Sequence, residues 1–176
     1  MEPLLDRRAV EALIQAAGQK LSGDWLLIGG GAAALWFSAT RRTEDIDIIG
    51  LNGTVAERLA LMDLAVSEGL SVESVNSAAD YFVRRIPGWR EELELLHAGP
   101  SATVYRPSPT LFFLLKIGRL TAKDLADCQE LVAFSPRARI DVARVLSALD
   151  ALPETDDDAL TARRLSVLAL LAAPGI

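Results

Sequence analysis

The first half of the chain alternates between helical and strand-like patterns of apolar residues. A spacing of three or four positions, typical of an amphipathic helix, is shared by Val10, Leu13, Ile14, Ala17 and Leu21. A short apolar run at residues 25–28 and an alternating β-branched stretch at residues 45–49 indicate two strands, with a short helix predicted at residues 32–39 between them. The chain therefore begins with the order α-β-α-β.

A further helix is predicted after a turn at residues 50–53. Thr54 is a suitable N-cap, and Gly69 is a suitable residue to end the helix, which we expect to run to about residue 68. One face of this helix carries Val55, Leu59, Met62 and Val66.

The pattern is weaker between residues 71 and 106. Residues 71–75 are compatible with a strand, and residues 78–86 fit a helix about as well as a strand. Residues 92–96 and 102–106, joined across Gly99 and Pro100, predict a hairpin. The remaining helices are predicted at residues 110–117, 122–134, 138–149 and 159–172.

This order of elements predicts an α+β fold with α/β-like character, built on a small mixed β-sheet flanked by helices, with a C-terminal helical tail. We expect one domain at residues 1–152, which includes the N-terminal helix and a helical segment at residues 109–152. Residues 153–176 are predicted to form an acidic linker and a C-terminal helix that packs on the same domain.

Composition narrows the class of protein. The 176 residues are 51% hydrophobic, so the chain can bury a core and is not of the disordered class. The net charge of −6 disfavours non-specific binding to a polyanion. One cysteine, Cys128, and one histidine, His97, exclude an intrachain disulfide and the usual zinc clusters.

The sequence also predicts where the protein works. Charged residues lie in the first eight positions, where a secretory signal needs apolar ones. The longest apolar run, at residues 166–176, is shorter than the ~18 residues that span a bilayer. We therefore expect a cytoplasmic protein with no membrane contact.

Three glycines, Gly29, Gly30 and Gly31, fall between a predicted strand and a predicted helix. Such a turn lets a phosphate approach the backbone N–H groups at a helix N-terminus. It is not a Walker A loop, and a tight structural turn is the plain alternative. A relaxed dinucleotide fingerprint also fits, but it would need its acid at the end of a strand, whereas Asp45 and Asp47 open theirs.

Asp45 and Asp47 are two positions apart on a predicted strand, so their side chains project from the same face and their Cα atoms are about 6.5 Å apart. Two carboxylates this close repel each other unless a cation lies between them. Oxygen ligands of this kind suit Mg²⁺ or Mn²⁺, with the phosphates of a nucleotide completing the coordination. The alternative is a solvated face on which Arg41 or Arg42 pairs with the acids.

These motifs together resemble a known family. Gly29-Gly30, followed by Arg41-x-Thr43-x-Asp45-Ile46-Asp47, resembles the signature of the nucleotidyltransferase-fold superfamily, which includes DNA polymerase beta and kanamycin nucleotidyltransferase. The spelling is most similar to the abortive-infection type of toxin and to a related bacterial branch. Lys116-Ile117-Gly118-Arg119 with Lys123-Asp124-Leu125-x-Asp127 is similar to a helical segment of that branch, so the resemblance covers residues 23–134.

The resemblance implies a function and roles for these residues. Gly29 and Gly30 would hold the phosphates of an NTP, and Asp45 and Asp47 would bind Mg²⁺. A nucleoside monophosphate would pass to a hydroxyl or phosphate of an RNA, a protein or a small molecule. The nucleotide contacts expected from the rest of the motif are Arg41, Arg42, Thr43 and Lys116, although Thr43 could also only end a turn and Lys116 could only snorkel.

A third carboxylate completes the usual pattern, and we expect Glu94 in the predicted hairpin to supply it in preference to Glu92. The alternative, in which both acids face solvent, predicts a weakened module that binds a nucleotide or a partner protein, such as a cognate antitoxin, without turnover. Leu165, Leu168 and Leu171 form a stripe on the last helix, which suits core packing or the closure of a homodimer.

Overall fold

The computed structural model describes residues 4–173, and it divides into two compact units between Pro107 and Ser108. The first unit is a mixed open sheet with helices, and the second is helical. The predicted α+β class is therefore confirmed.

The first unit contains the five strands found in the described residues. Its elements are α1 (Arg7–Lys20), β1 (Gly23–Leu27), α2 (Gly29–Trp36), β2 (Ile46–Gly50), α3 (Val55–Ser67), β3 (Val75–Asn76), α4 (Asp80–Val83), β4 (Leu93–Ala98) and β5 (Ala102–Pro107). Two 3₁₀ turns lie at Val72–Ser74 and Trp89–Glu92.

The sheet has the strand order β3-β2-β1-β5-β4, so β1 is central. β1 runs antiparallel to β2 and parallel to β5, while β3 is parallel to β2 and β4 is antiparallel to β5. Leu27 pairs with Ile48 in the β1–β2 register. The C-terminal end of β1 therefore meets the beginning of β2, which brings the glycine turn to the aspartate pair.

One face of the sheet carries the core of this unit. Trp25 and Leu27 of β1 and Ile46 and Ile48 of β2 are buried together with apolar residues of α1 and α3. Because alternate residues of a strand point to opposite faces, burial of Ile46 and Ile48 turns Asp47 to the other face. The core thus decides on which side of the sheet Asp47 lies, whereas Asp45, predicted to open the strand, lies in a bend just before β2.

The helix ends follow local signals in the sequence. The side chain of Asp6 caps α1, and Thr54 caps α3 as predicted, in a reciprocal capping box with Glu57. α2 begins at Gly29 rather than near residue 32, because the glycines themselves form its first turn. The segment at residues 71–86 yields only a two-residue strand and the four-residue α4, and Glu92 lies in a 3₁₀ turn instead of the hairpin.

The apolar face that the sequence pattern indicates on α3 is exposed. The buried residues of α3 are instead Leu61, Leu64 and Ala65. Both faces of this helix carry apolar residues, so helical spacing alone cannot decide which face packs on the core.

Up to residue 173, the second unit contains four α-helices, as predicted: α5 (Pro109–Ile117), α6 (Ala122–Phe134), α7 (Val142–Asp150) and α8 (Asp158–Ala172). α7 begins later than the predicted residue 138, because Arg137–Arg139 form a 3₁₀ turn. On α8, Leu171 is buried whereas Leu165 and Leu168 are exposed, so the predicted stripe is only partly covered. Packing of this unit on the first stays a prediction.

No helix within residues 4–173 combines the length and the apolar character needed to cross a membrane.

Candidate functional site

The glycine turn joins the end of β1 to the beginning of α2. Gly29 has a φ of +65°, in the left-handed region that glycine adopts most readily. The N-cap residue, Ile28, makes no side-chain hydrogen bond to the helix end. The first N–H groups of a helix lack intrahelical acceptors, so this end of α2 suits the oxygens of a phosphate.

Asp47 lies directly against this turn. The backbone N–H of Ile28 donates to the carbonyl of Asp47 at 2.9 Å, which fixes the two segments side by side. A Cβ atom built on Gly29 would collide with Oδ2 of Asp47. The carboxylate therefore occupies space that exists only because residue 29 has no side chain.

Thr43 shapes the segment that leads into the acidic pair. Its hydroxyl donates to the carbonyl of Asp45 at 2.8 Å, and its backbone pairs with that of Leu5. The same hydroxyl lies 2.7 Å from the position that a Cβ of Gly30 would take. Thr43 thus positions Asp45 and makes glycine necessary at residue 30, whether or not it contacts a nucleotide.

Arg41 is the basic residue that borders the turn. Its Nη2 atom lies 3.5 Å from the Cβ position of Gly30, and its Nη1 atom donates to the carbonyl of Arg42 at 3.2 Å. Arg42 itself is exposed. The structure therefore brings together the glycine turn, Thr43, Arg41 and the aspartates, with Arg42 on the adjoining surface.

Asn76 is a site residue that the sequence analysis did not identify. It pairs with Asp47 in the parallel register of β2 and β3, and its Nδ2 atom donates to Oδ1 of Asp47 at 3.0 Å. Its own Oδ1 accepts from the N–H of Ala78 at 2.8 Å, so the amide orientation is fixed. The only local signal for Asn76 was an amide residue after a weak strand pattern. Its partner, Asp47, lies 29 residues away in the sequence.

Glu94 lies away from the acidic pair. Two strands, β1 and β5, separate its strand from β2, which amounts to three strand spacings or roughly 14 Å. Glu94 pairs in register with Arg106 and forms an ion pair with it at 2.6 Å. Ala102 and Val104 of β5 point into the core, so strand alternation places Arg106 on the core face, opposite Asp47. In this arrangement Glu94 does not share a metal ion with Asp45 and Asp47.

The described residues contain no cluster of three or more histidine, cysteine, aspartate or glutamate side chains that could hold a metal ion. The candidate donors for a cation are therefore the carboxylates of Asp45 and Asp47. Two carboxylates fit Mg²⁺ or Mn²⁺, which retain waters and take further oxygens from phosphates. The Oδ2 atom of Asp47 lies against the glycine turn, where phosphate oxygens would be received, while its Oδ1 atom accepts from Asn76, and this arrangement is consistent with the donor set.

Lys116 lies in the second unit within a buried network. Its Nζ atom is 2.9 Å from Oδ1 of Asp124 and 2.9 Å from Oδ2 of Asp127. Arg119 adds two hydrogen bonds of 3.0 Å to Asp124. The backbone allows this because Leu120, at a φ of +43°, turns the chain between α5 and α6. The predicted nucleotide role of Lys116 stays a prediction.

The network perturbs two titratable groups. Burial opposes ionisation of Asp124, but hydrogen bonds from Arg119 and the charge of Lys116 outweigh it, so the pKa of Asp124 lies well below its ordinary value. Burial also raises the pKa of the Cys128 thiol to about 12, with Lys116 acting in the opposite direction. The aspartate is therefore ionised and the thiol protonated at neutral pH.

A cavity of about 700 Å³ opens beside Asn76 in the first unit. Tyr81 and Arg85 line it, and the Arg85 guanidinium lies 4.7 Å from the centre of the Tyr81 ring. Arg84, which also borders the cavity, donates to the carbonyl of Leu51, and Arg90 donates to the same oxygen. These two arginines therefore fasten the turn after β2.

A glycine turn at a helix N-terminus, beside an Asp-x-Asp segment that leads into a strand of a mixed sheet, is the arrangement expected of the nucleotidyltransferase class of fold. Comparison with protein families bears this out: the model of the family described as "Nucleotidyltransferase of unknown function (DUF6036)" matches residues 7–156. The chain belongs to this family, and the predicted superfamily is confirmed. No curated protein and no solved structure matches the chain. The toxin type stays a prediction.

Proposed function

We propose that the protein transfers a nucleoside monophosphate from an NTP to an acceptor in a reaction that depends on Mg²⁺ or Mn²⁺. The observation that carries the proposal is the contact between the Gly29 turn and Asp47. This contact brings the N-terminus of α2 and the Asp47 carboxylate to one point, which supports the binding of a phosphate and a cation side by side. Membership of a nucleotidyltransferase family supports the type of reaction.

The site residues of the first unit have different roles in the proposed reaction. Asp45 and Asp47 hold the cation, and the turn at Gly29 and Gly30 receives the phosphate oxygens. Arg41, beside Gly30, adds positive charge on the same side. A bound divalent cation would neutralise charge on the phosphates and lower the pKa of the attacking hydroxyl.

In the proposed reaction, an oxygen of the acceptor forms a bond to the α-phosphorus. The bond from that phosphorus to the bridging oxygen breaks, pyrophosphate leaves, and the acceptor proton passes to solvent. Asn76 acts as a positioning residue here, because its hydrogen bond fixes the orientation of the Asp47 carboxylate. Positioning and electrostatic stabilisation supply most of the rate in reactions of this kind.

The cavity beside Asn76 is the place that we assign to the acceptor. It adjoins Asp47 through the Asn76 amide, and Arg85 and Tyr81 offer a positive charge and an aromatic face. These groups suit an acceptor that carries a phosphate or a planar ring. Kinetics with the Tyr81→Ala variant test the assignment: KM for the acceptor should rise while KM for the NTP stays constant.

Transfer of label tests the proposed reaction. The protein is incubated with Mg²⁺ and NTPs labelled at the α or the γ phosphate, together with cellular RNA, protein and metabolites. Label from the α position alone supports nucleotidyl transfer, whereas label from the γ position identifies a kinase. The Asp45→Asn and Asp47→Asn double variant should lose transfer, and Asp24→Asn, on an exposed aspartate of β1, is the matched control. Unchanged transfer by the double variant would refute the proposal.

A second candidate is a module that binds Mg²⁺ and a nucleotide without turnover. The observation that favours it is that the side chain bonded to Asp47 from β3 is an amide, Asn76, and not a further carboxylate, while Glu94 is paired with Arg106. Calorimetry that detects Mg²⁺-dependent NTP binding, combined with no transfer to any acceptor, identifies this candidate. Transfer of α-label excludes it.

A further inference from the structure

Helix α3 presents an exposed stripe of apolar side chains. The exposed fractions are 61% for Val55, 56% for Leu59, 42% for Met62 and 61% for Val66. The helix is anchored to the core from another side by Leu61, Leu64 and Ala65. Four large, solvent-exposed apolar residues in one row are unusual for a surface helix, and such a row marks an interaction surface.

The spacing of the stripe is that of a coiled-coil seam. Steps of four, three and four residues separate its members, which corresponds to heptad positions d, a, d and a. A seam of this kind fits the same seam on a second helix. A second copy of this chain supplies one.

The charges beside the seam specify the orientation of the pair. Arg58 occupies a g position and Asp63 the e position five residues later. When two such helices run parallel, g of one copy faces e of the other, so Arg58 meets the partner's Asp63 on both edges of the seam. In an antiparallel pair that aligns Leu59 with the partner's Met62, g edges face g edges and e edges face e edges, so Arg58 does not meet Asp63. Both side chains are exposed, and neither has an ion-pair partner within residues 4–173.

We propose that α3 forms a parallel, two-fold symmetric homodimer of the chain. Leu61 and Ala65, which fix the helix to its own core, lie on the Arg58 side of the seam. A two-fold axis along the helices puts these sides on opposite edges, so the two cores do not compete for space. The seam is short, and it is smaller than the area that a permanent dimer buries. The dimer is therefore reversible and depends on concentration.

A charge-exchange series tests the orientation and the partner together. Sedimentation equilibrium of the full chain gives the dimer dissociation constant of each variant. Arg58→Asp and Asp63→Arg should each raise the dimer dissociation constant about tenfold, since each places like charges opposite one another at both edges of the seam. The double exchange should return it to within about threefold of the original value. Circular dichroism verifies that these exposed substitutions leave the fold intact.

Disulfide formation gives a second measurement. In a parallel pair, Leu59 faces the partner's Leu59 and Met62 faces the partner's Met62, so Leu59→Cys alone and Met62→Cys alone should each cross-link rapidly. An antiparallel pair would cross-link only in a mixture of the two. Ala60→Cys, exposed but outside the seam, is the control for random collision. The native Cys128 is buried and does not compete.

Three outcomes overturn the proposal. If the chain is monomeric at every concentration, the stripe does not mediate self-association and is the binding surface for a different protein. A dimer that is unaffected by the charge exchanges and by Leu59→Cys oxidation lies on another surface. Cross-linking only in the mixed sample means that the helices run antiparallel. Arg58 and Met62 also line the cavity assigned to the acceptor, so these variants are judged by their oligomeric state and cross-linking and not by transfer activity.

Discussion

Asn76 holds the carboxylate of Asp47 through a hydrogen bond of 3.0 Å between the neighbouring parallel strands β3 and β2. The bond connects the short strand β3 to the candidate metal ligand of β2. An amide in this place binds the carboxylate without adding a negative charge. The energetic consequences can be measured without any knowledge of the substrate.

Asn76→Asp should make the protein depend on Mg²⁺ for its stability. Without the cation, a carboxylate that faces Asp47 adds repulsion and removes the hydrogen bond, so the free energy of unfolding should fall by about 1–3 kcal/mol. With Mg²⁺ the extra ligand should recover most of this loss. Thermal unfolding with and without Mg²⁺ measures both effects. Asn76→Ala loses the bond without adding charge, and an equal Mg²⁺ effect in that variant would contradict the prediction.

Gly29→Ala should destabilise the protein more than Gly23→Ala. Both glycines have a positive φ, so an alanine at either position costs about 1–2 kcal/mol. Only at Gly29 does the added Cβ also meet the carboxylate of Asp47, since nothing lies within 4 Å at Gly23. Urea unfolding gives the two free energies.

A double-mutant cycle separates the collision from the backbone effect. Gly29→Ala combined with Asp47→Ala should be less destabilised than the sum of the two single changes, because the carboxylate that collides has gone. Strict additivity would show that Asp47 is not the obstacle.

Lys116→Met should be strongly destabilising. The change leaves Asp124 and Asp127 buried without their shared cation, and loss of one member of a buried ion pair costs about 3–5 kcal/mol. Lys123→Met, on an exposed residue of α6, is the control and should change the free energy of unfolding by less than about 0.5 kcal/mol. Similar losses in both variants would mean that the buried network contributes little.

Acid should weaken the second unit through Asp124. The pKa of Asp124 is lower in the folded than in the unfolded chain, so its ionised form stabilises the fold at pH values above the unfolded pKa of about 4. This contribution disappears as the pH falls towards the folded pKa. The free energy of unfolding of Asp124→Asn should therefore decline less between about pH 5 and pH 2 than that of the unchanged protein. Parallel curves for the two proteins would contradict the assignment.

Local sequence signals predicted the helices well. Thr54 and Thr121 cap their helices through short-range hydrogen bonds, so the residues that begin α3 and α6 are visible in the sequence alone. The hairpin of β4 and β5 was predicted for the same reason, because its two strands are joined by a short turn. β3 was only weakly indicated, since its two residues are held by pairing with β2 rather than by their own propensity.

The sequence by itself determined the helix ends and the glycine turn, because these depend on residues a few positions apart. The tertiary structure alone decided what surrounds Asp47. Strand order and register bring Asn76 beside Asp47 and place Glu94 on the opposite face. Packing on the core buries Leu61 of α3 and leaves Leu59 exposed. These outcomes arise from contacts between distant segments, which compete for one shared core and which no local pattern encodes.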